Sequence, residues 1–425
     1  MGWALAALLS AGLYAGAEHT PQAWWLFLKE PPSASFRSAV EAVGASIRTE
    51  SRWLRAVSVS ANERQREKLA RLPGVLRTMR VASYSRVVQF PADPSGLPTR
   101  HAQPDLMNAA ALTEAGLTGE GVRVGILDAG FRLTHPAFER LRVGAVLDVV
   151  HQDENVDDEP GQDDPGEAAH GTAMLSIVAE LAPNAEYYLA KTEDIQRNGR
   201  HFEEHIEEDY WVEGLEWCVE NGCAVVNSSL NYALDYAFAE MDGQTSPASL
   251  AAVEAMRRGA VIVNAAGNVG GDNLFGRIAP PADSVGVFTV GAALSNGEPA
   301  AFSSRGPTAD GRLKPDALAL GVDVSAAALD GEGFRLAQGT SAASALAAGA
   351  AALLVEAFPS ASPAEMMNAL RLTASSADAP NNRRGYGVLN AAGAYEHLRR
   401  GSNPAHVDAP RRPAAIFLAD LKRGR

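Results

Sequence analysis

The segment Val124-Gly125-Ile126-Leu127-Asp128-Ala129-Gly130 places a short apolar strand directly before a carboxylate and a glycine at which the chain can turn. Downstream, apolar runs rich in β-branched residues largely alternate with helical patterns. The predicted strands are 122–127, 186–190, 224–228, 261–264 and 287–291, and the predicted helices between them are 172–181, 210–221 and 247–258. This alternation predicts an α/β fold, a doubly wound, mostly parallel sheet with helices on both faces. Ligand sites in such sheets lie at the carboxyl ends of the strands, which is where Asp128 stands.

Two further segments carry reactive side chains beside predicted helices. His170 stands just ahead of the helix 172–181, and His is the side chain whose ordinary pKa lies nearest to neutrality. Ser341 opens a helix that is predicted to reach Phe358 and is apolar or small on nearly every side, so it must be buried. Taken one at a time, Asp128 also fits a turn residue and Ser341 also fits a helix cap.

Together these segments supply an orienting carboxylate, a base and a nucleophile in the chain order Asp, His, Ser. A fourth segment, Ala265-Ala266-Gly267-Asn268, follows the strand 261–264 with a side-chain amide that can donate to an oxyanion. From about residue 117 to residue 394 the chain resembles the subtilases, the subtilisin-like serine peptidases. The resemblance rests on the Asp motif at Asp128, the His-Gly-Thr motif at His170, the Gly-Thr-Ser motif at Ser341 and the Ala-Ala-Gly-Asn motif at Asn268.

The resemblance implies a serine endopeptidase that forms an acyl-enzyme on Ser341, with His170 as base, Asp128 as its partner and Asn268 as oxyanion donor. It implies protein or peptide substrates, no required cofactor and no catalytic metal. The implied substrate-binding residues are Ser229, Leu230, Asn231, Ala265, Ala266 and Gly267. Because none of the last three is acidic, we expect an apolar substrate residue before the cut.

The sequence departs from the family pattern at several positions near these motifs. Ala129 stands where Thr or Ser is usual, Ala173 replaces a second His, and Asn231 replaces Gly. These departures keep a second interpretation open, in which the chain is a catalytically weak or inactive subtilase scaffold that acts as a binding protein.

The ends of the chain predict a precursor organisation. Residues 1–17 form an apolar run that ends in Ala15-Gly16-Ala17 and predict a signal peptide, although a buried N-terminal helix fits the same run. Residues 18–90 form a small α+β unit that resembles the inhibitor-type propeptide of subtilases, and the proline-rich residues 91–104 form a linker. A catalytic domain over 105–400 and a tail over 401–425 follow. This organisation predicts a secreted or periplasmic protein, made as a zymogen whose own propeptide inhibits it.

Composition narrows the set of partners. The chain has 37 basic and 51 acidic residues and a net charge of −14, which disfavours nucleic acid and anionic lipid as partners. No stretch has the roughly 20 apolar residues of a membrane span. We expect a monomer. Cys218 and Cys223, the two cysteines, flank the helix-ending residue Gly222 and predict either a packed pair of thiols or a local disulfide.

An acidic run, residues 153–159 with Asp163 and Asp164 beyond it, lies between the Asp and His motifs. Carboxylate oxygens are the ligands that calcium prefers, so this run allows a structural calcium ion, although it lacks an EF-hand pattern. The alternative is a solvated acidic loop, since charge runs usually face water.

Overall fold

The protein is described by a computed structural model over residues 21–82, 105–163, 165–193, 207–233, 236–271, 276–329 and 333–401. The predicted signal peptide, the predicted linker and residues 402–425 of the predicted tail lie outside the described residues.

The N-terminal unit is a small α+β unit, as the sequence predicts, and consists of a four-stranded antiparallel sheet with two helices. Its elements are β1 (Gln22–Leu28), α1 (Ala34–Ala42), β2 (Ser46–Ser51), β3 (Ala56–Ala61), α2 (Glu63–Leu69) and β4 (Val75–Arg80). The strand order is β2-β3-β1-β4. Alternation along β1 gives the sheet two apolar faces: Leu26 and Leu28 pack with the two helices, whereas Trp25 and Phe27 pack against the larger unit.

The larger unit is built on a seven-stranded sheet in which every neighbouring pair of strands is parallel. Its first elements are α3 (Ala110–Glu114), β5 (Arg123–Asp128), β6 (Arg142–Asp148), α4 (Ala169–Leu181), β7 (Glu186–Lys191), α5 (Glu207–Glu220) and β8 (Val225–Ser228). They are followed by α6 (Pro247–Arg257), β9 (Val261–Ala265), β10 (Val287–Ala293), β11 (Ala317–Leu320), β12 (Val324–Ala327), β13 (Phe334–Ala337), α7 (Thr340–Ala357), α8 (Pro363–Leu372) and α9 (Ala391–Gly401). The strand order is β11-β10-β9-β8-β5-β7-β6, which confirms the predicted α/β fold.

The sequence does not predict the two edge strands of this sheet. Strand β11 is a four-residue Ala-Leu-Ala-Leu run without a β-branched residue, and the first half of β6 is exposed, so neither shows the buried, β-branched run typical of a central parallel strand. The antiparallel hairpin of β12 and β13 is likewise not predicted.

Helix α7 lies at the centre of the larger unit, as its composition predicts. Gly349 lets it approach α4, because a Cβ at that position would lie 2.8 Å from the Leu181 Cβ. By length and composition this 18-residue helix could span a membrane, but 83% of it is buried inside the fold. The abundance of alanine in α7, with Gly349 at the contact with α4, is therefore explained by close helix packing.

Helix α5 ends near Gly222, as the sequence predicts, in a Schellman motif. The Cys223 N–H donates to the Cys218 carbonyl at 3.1 Å, and the Gly222 N–H donates to the Val219 carbonyl at 2.9 Å, with Gly222 at a φ of 81°. Both cysteines are buried free thiols, and burial raises the pKa of the Cys218 thiol.

Candidate active site

Asp128 and His170 meet at the carboxyl end of strand β5. Asp128 is the last residue of that strand and is fully buried, and its Oδ1 lies 2.7 Å from the His170 Nδ1. The sequence prediction placed His170 just ahead of a helix, but α4 begins at Ala169, so His170 lies in its first turn. The earlier start follows from Asp158, whose carboxylate accepts hydrogen bonds from the Gly166 and Ala168 N–H groups at 2.8 and 2.7 Å.

Two glycines allow the strand and the helix to come this close. A Cβ on Gly171 would lie 2.1 Å from the Gly130 carbonyl oxygen, which is far inside van der Waals contact. Gly130 has a φ of 142°, and a Cβ there would lie 2.9 Å from the Val156 carbonyl oxygen. Both motifs therefore require glycine for packing reasons.

The Asp128 carboxylate is only partly satisfied. Its Oδ1 also accepts the Ala129 N–H at 2.9 Å, whereas its Oδ2 has no hydrogen-bond partner among the described residues. The side chain of Ala129 has no hydroxyl that could donate to it. Ala129, which stands where Thr or Ser is usual in the family, thus lies next to a buried carboxylate oxygen that has no donor among the described residues.

Ser341 lies in the first turn of helix α7 and is 8% exposed, in a cleft that Asp128, His170 and Asn268 also line. The Asn268 Oδ1 accepts two hydrogen bonds from Thr340, one from its N–H at 2.7 Å and one from its hydroxyl at 2.9 Å. Because these contacts use the amide oxygen, the NH₂ end of Asn268 is the end that can donate into the cleft. The sequence analysis did not single out Thr340 as a functional residue.

Five of the six residues expected to bind substrate line the same cleft, namely Ser229, Leu230, Asn231, Ala266 and Gly267. Ala265 is buried behind them, and its carbonyl accepts a hydrogen bond from the Asn231 Nδ2 at 3.2 Å. The cleft is also lined by two charged residues that belong to none of the sequence motifs, Glu193 and Arg277.

Two carboxylates of the acidic run before His170 form ion pairs with an arginine of the same chain. Arg132 pairs with Asp157 at 3.2 Å and with Asp158 at 3.0 Å. The same Asp158 carboxylate fixes the start of helix α4, so Arg132 helps to hold the segment that leads to His170. These two carboxylates are therefore ion-paired within the fold and only partly exposed, and the interpretation as a solvated loop stays a prediction for the rest of the run.

Asp148, His151 and Asp163 form a cluster whose ligand atoms lie within 4.8 Å of one another. The buried Lys191 ammonium contacts both carboxylates, lying 3.3 Å from Asp148 and hydrogen-bonded to Asp163. The cluster does not fit a calcium ion, because a lysine ammonium already supplies the positive charge there.

Comparison with known proteins shows the family that this chain resembles. The Subtilase family model, Peptidase_S8, matches residues 119–387. Subtilisin E from Bacillus subtilis (strain 168) is 27% identical over 356 residues, covering 80% of this chain and 81% of that protein. Subtilisin BL from Lederbergia lenta is 33% identical over 300 residues, covering 68% of this chain and 96% of that protein.

A solved structure shows the same fold. Fervidolysin from Fervidobacterium pennivorans, described as a keratinolytic enzyme related to subtilisin, superimposes with a TM-score of 0.65 at 20% identity. The match covers 89% of this chain but only 61% of the fervidolysin chain. Since the family model covers more than half of the chain, this protein belongs to the subtilase family and is a subtilisin-like serine endopeptidase.

Proposed function

We propose that the protein hydrolyses peptide bonds through Asp128, His170 and Ser341. The observation that carries the proposal is the 2.7 Å contact between the His170 Nδ1 and the Asp128 Oδ1, in a cleft that Ser341 also lines. This contact fixes the imidazole tautomer that leaves the Nε2 able to accept a proton.

The reaction begins when His170 takes the hydroxyl proton of Ser341 and the Ser341 Oγ attacks the substrate carbonyl carbon. Asp128 offsets the transient positive charge on His170, and the oxyanion is met by the Asn268 amide and the Ser341 N–H. His170 then gives the proton to the leaving amine, and an acyl-enzyme remains on Ser341. Water, activated by His170, hydrolyses the ester and restores the serine.

We further propose that the N-terminal unit is an inhibitory propeptide that the enzyme removes. Its contacts with helix α5 support this role. Arg48 pairs with Asp209 at 3.0 Å, the Arg52 N–H donates to the Glu216 carboxylate at 3.1 Å, and the Ser51 hydroxyl donates to the same carboxylate. The last described residue of the unit, Ala82, donates its N–H to Glu208 at 3.3 Å.

In the proposed maturation, the protein is made with a signal peptide over residues 1–17 and is exported. It is then cut within or close to the linker 91–104. Residues 105–400 would then act as a monomeric catalytic domain, without a required cofactor. The role of the tail 401–425 is not assigned.

Intact mass of the purified protein tests this proposal. We expect the wild-type chain to be cleaved between about residues 88 and 106, and the Ser341→Ala chain to stay uncut there. Identical full-length masses for the two proteins would contradict self-processing. A cut at the same place in both would assign it to a foreign protease.

The contact between the two units should depend on pH, because two of its carboxylates are buried with uncharged donors. Glu208 accepts from Ala82, Tyr236, Ser246 and Ala248, and burial raises its pKa to about 7. Burial likewise raises the pKa of Glu216 to about 7.

When the N-terminal unit leaves, Glu216 returns to water and its pKa falls towards the ordinary 4.5. An acid whose pKa is raised in the complex favours the complex when protonated, so binding is strongest below about pH 4.5 and weakens as pH rises through about 7. We expect the N-terminal unit to bind about 10- to 100-fold more weakly at pH 8 than at pH 5.

The measurement uses a Ser341→Ala chain with a specific protease site inserted in the linker 91–104. After the cut, native mass spectrometry at pH 5 and pH 8 gives the bound fraction of the N-terminal unit. A Glu216→Gln variant should lose the part of the pH dependence that Glu216 supplies. Equal binding at both pH values in the parent chain would refute the prediction.

A further inference from the structure

Two arginines lie side by side at the substrate cleft. Arg277 lines the cleft and is partly buried, and its guanidinium stacks over the Phe238 ring at 4.8 Å. The exposed Arg305 forms a parallel backbone bridge with Arg277, and its N–H donates to the Gly276 carbonyl at 3.0 Å. Arg305 also directly follows Ser304, another residue of the cleft wall.

Among the described residues, these two arginines have no acidic partner. Within the described ranges, neither guanidinium forms an ion pair with a carboxylate, although the chain carries 51 acidic residues. The backbone bridge places both arginines on neighbouring chain segments, so a negative group bound at Arg277 would also be attracted by the charge of Arg305. The pair therefore forms a site suited to an anion that the chain does not supply among these residues.

The surroundings favour a side chain over a bulky ligand. Ala266 and Ala279 line the same cleft as Arg277 with small apolar side chains. Stacking on Phe238 occupies one face of the guanidinium and leaves its N–H edge as the donor surface. That planar edge is the geometry that binds a carboxylate through two hydrogen bonds.

We propose that Arg277, supported by Arg305, binds a glutamyl or aspartyl side chain of the substrate close to the scissile bond. This inference rests on the proposed function, since the bond is cut in the cleft that contains Ser341. The expectation of an apolar residue directly before the cut, which considered only residues 265–267, stays a separate prediction.

A second charge in the cleft limits where the acidic residue binds. Glu193 also lines the cleft, is 3% exposed and accepts a hydrogen bond from the Tyr232 hydroxyl at 3.0 Å. A carboxylate here repels an acidic substrate residue. The preference for Glu should therefore appear at one substrate position and not along the whole peptide.

The test compares kcat/KM for matched peptides that carry Glu, Gln or Lys at each of four positions before the cut. At one position the wild-type enzyme should prefer Glu over Gln about tenfold at low salt. The ratio should shrink at about 1 M salt, because exposed charges are screened. The Glu-to-Gln ratio of kcat/KM should fall close to one in Arg277→Gln. It should fall only partly in Arg305→Gln and in Arg277→Lys.

The control is Arg140→Gln. Arg140 is exposed and lies just before the amino end of β6, whereas the cleft lies at the carboxyl ends of the strands. It should leave the Glu-to-Gln ratio unchanged. Cleavage of the Gln peptides without a preference for Glu at any position would overturn this inference alone, as would an unchanged preference in Arg277→Gln. Failure of the wild-type enzyme to cleave any peptide would overturn the proposed function as well.

Discussion

Replacement of Ser341 by Ala is expected to abolish peptide hydrolysis, with kcat/KM lower by about 10⁴- to 10⁶-fold. Ser341 stands in the first turn of α7, where backbone N–H groups can stabilise the oxyanion. The neighbouring Thr340 hydroxyl cannot take its place, because it is already hydrogen-bonded to Asn268. Hydrolysis of a fluorogenic peptide after cleavage of the linker measures the loss.

A matched serine controls for nonspecific effects of the substitution. Ser360 is exposed beyond the end of helix α7, and Ser360→Ala should keep full activity. The Ser341→Ala protein should keep the melting temperature of the wild type to within about 3 °C, since only one oxygen is removed. Full activity in a correctly folded Ser341→Ala protein would contradict the assignment of Ser341 as the nucleophile.

Substitution of Asp128 by Asn is expected to lower kcat by about 10⁴-fold and to leave KM within a few-fold of the wild type. The carboxylate accepts the Nδ1–H of His170 at 2.7 Å and carries the charge that offsets the imidazolium. An amide is neutral, and its NH₂ group turned towards Nδ1 would favour the opposite tautomer. The Nε2 would then carry the proton and could not take one from Ser341.

Steady-state kinetics that resolve kcat from KM check this prediction. Asp310→Asn, which removes a partly exposed ion pair with Arg312, is the matched control and should change neither constant appreciably. A loss of less than about tenfold in Asp128→Asn would show that this carboxylate does not orient His170 during the reaction.

The sequence predicts those functional residues whose position depends on the helix or strand next to them. Asp128 follows an apolar strand and Ser341 opens an apolar helix, so each position could be read from its immediate neighbours. The parallel sheet then brings separate strand ends to one edge. That is why three motifs far apart in the sequence could be expected at one site.

Contacts between segments that are distant in the sequence could not be predicted from local sequence patterns. The Lys191 ammonium reaches Asp163 across 28 positions, and no local pattern marks a buried lysine as the cation of an acidic run. The bridge between Arg277 and Arg305 likewise joins two loops. The first turn of α4 was missed because its start is fixed by Asp158, which lies ten residues before Ala168.

The interpretation as an inactive scaffold makes a different prediction from the proposed peptidase. The Asp128 Oδ2 without a donor, beside Ala129, is the feature that favours weak activity. The short contact to His170 and the fixed amide of Asn268 favour an activated serine. The two interpretations therefore differ in the reactivity of Ser341 itself.

Covalent labelling with a fluorophosphonate probe, followed by peptide mapping, tests the central claim most directly. The probe reacts only with a serine whose hydroxyl is activated by a base. After removal of the N-terminal unit, we predict one label per chain, on Ser341, and none in Ser341→Ala or at an early time point in Asp128→Asn. An unlabelled wild-type protein, or a label on another serine, would contradict the account.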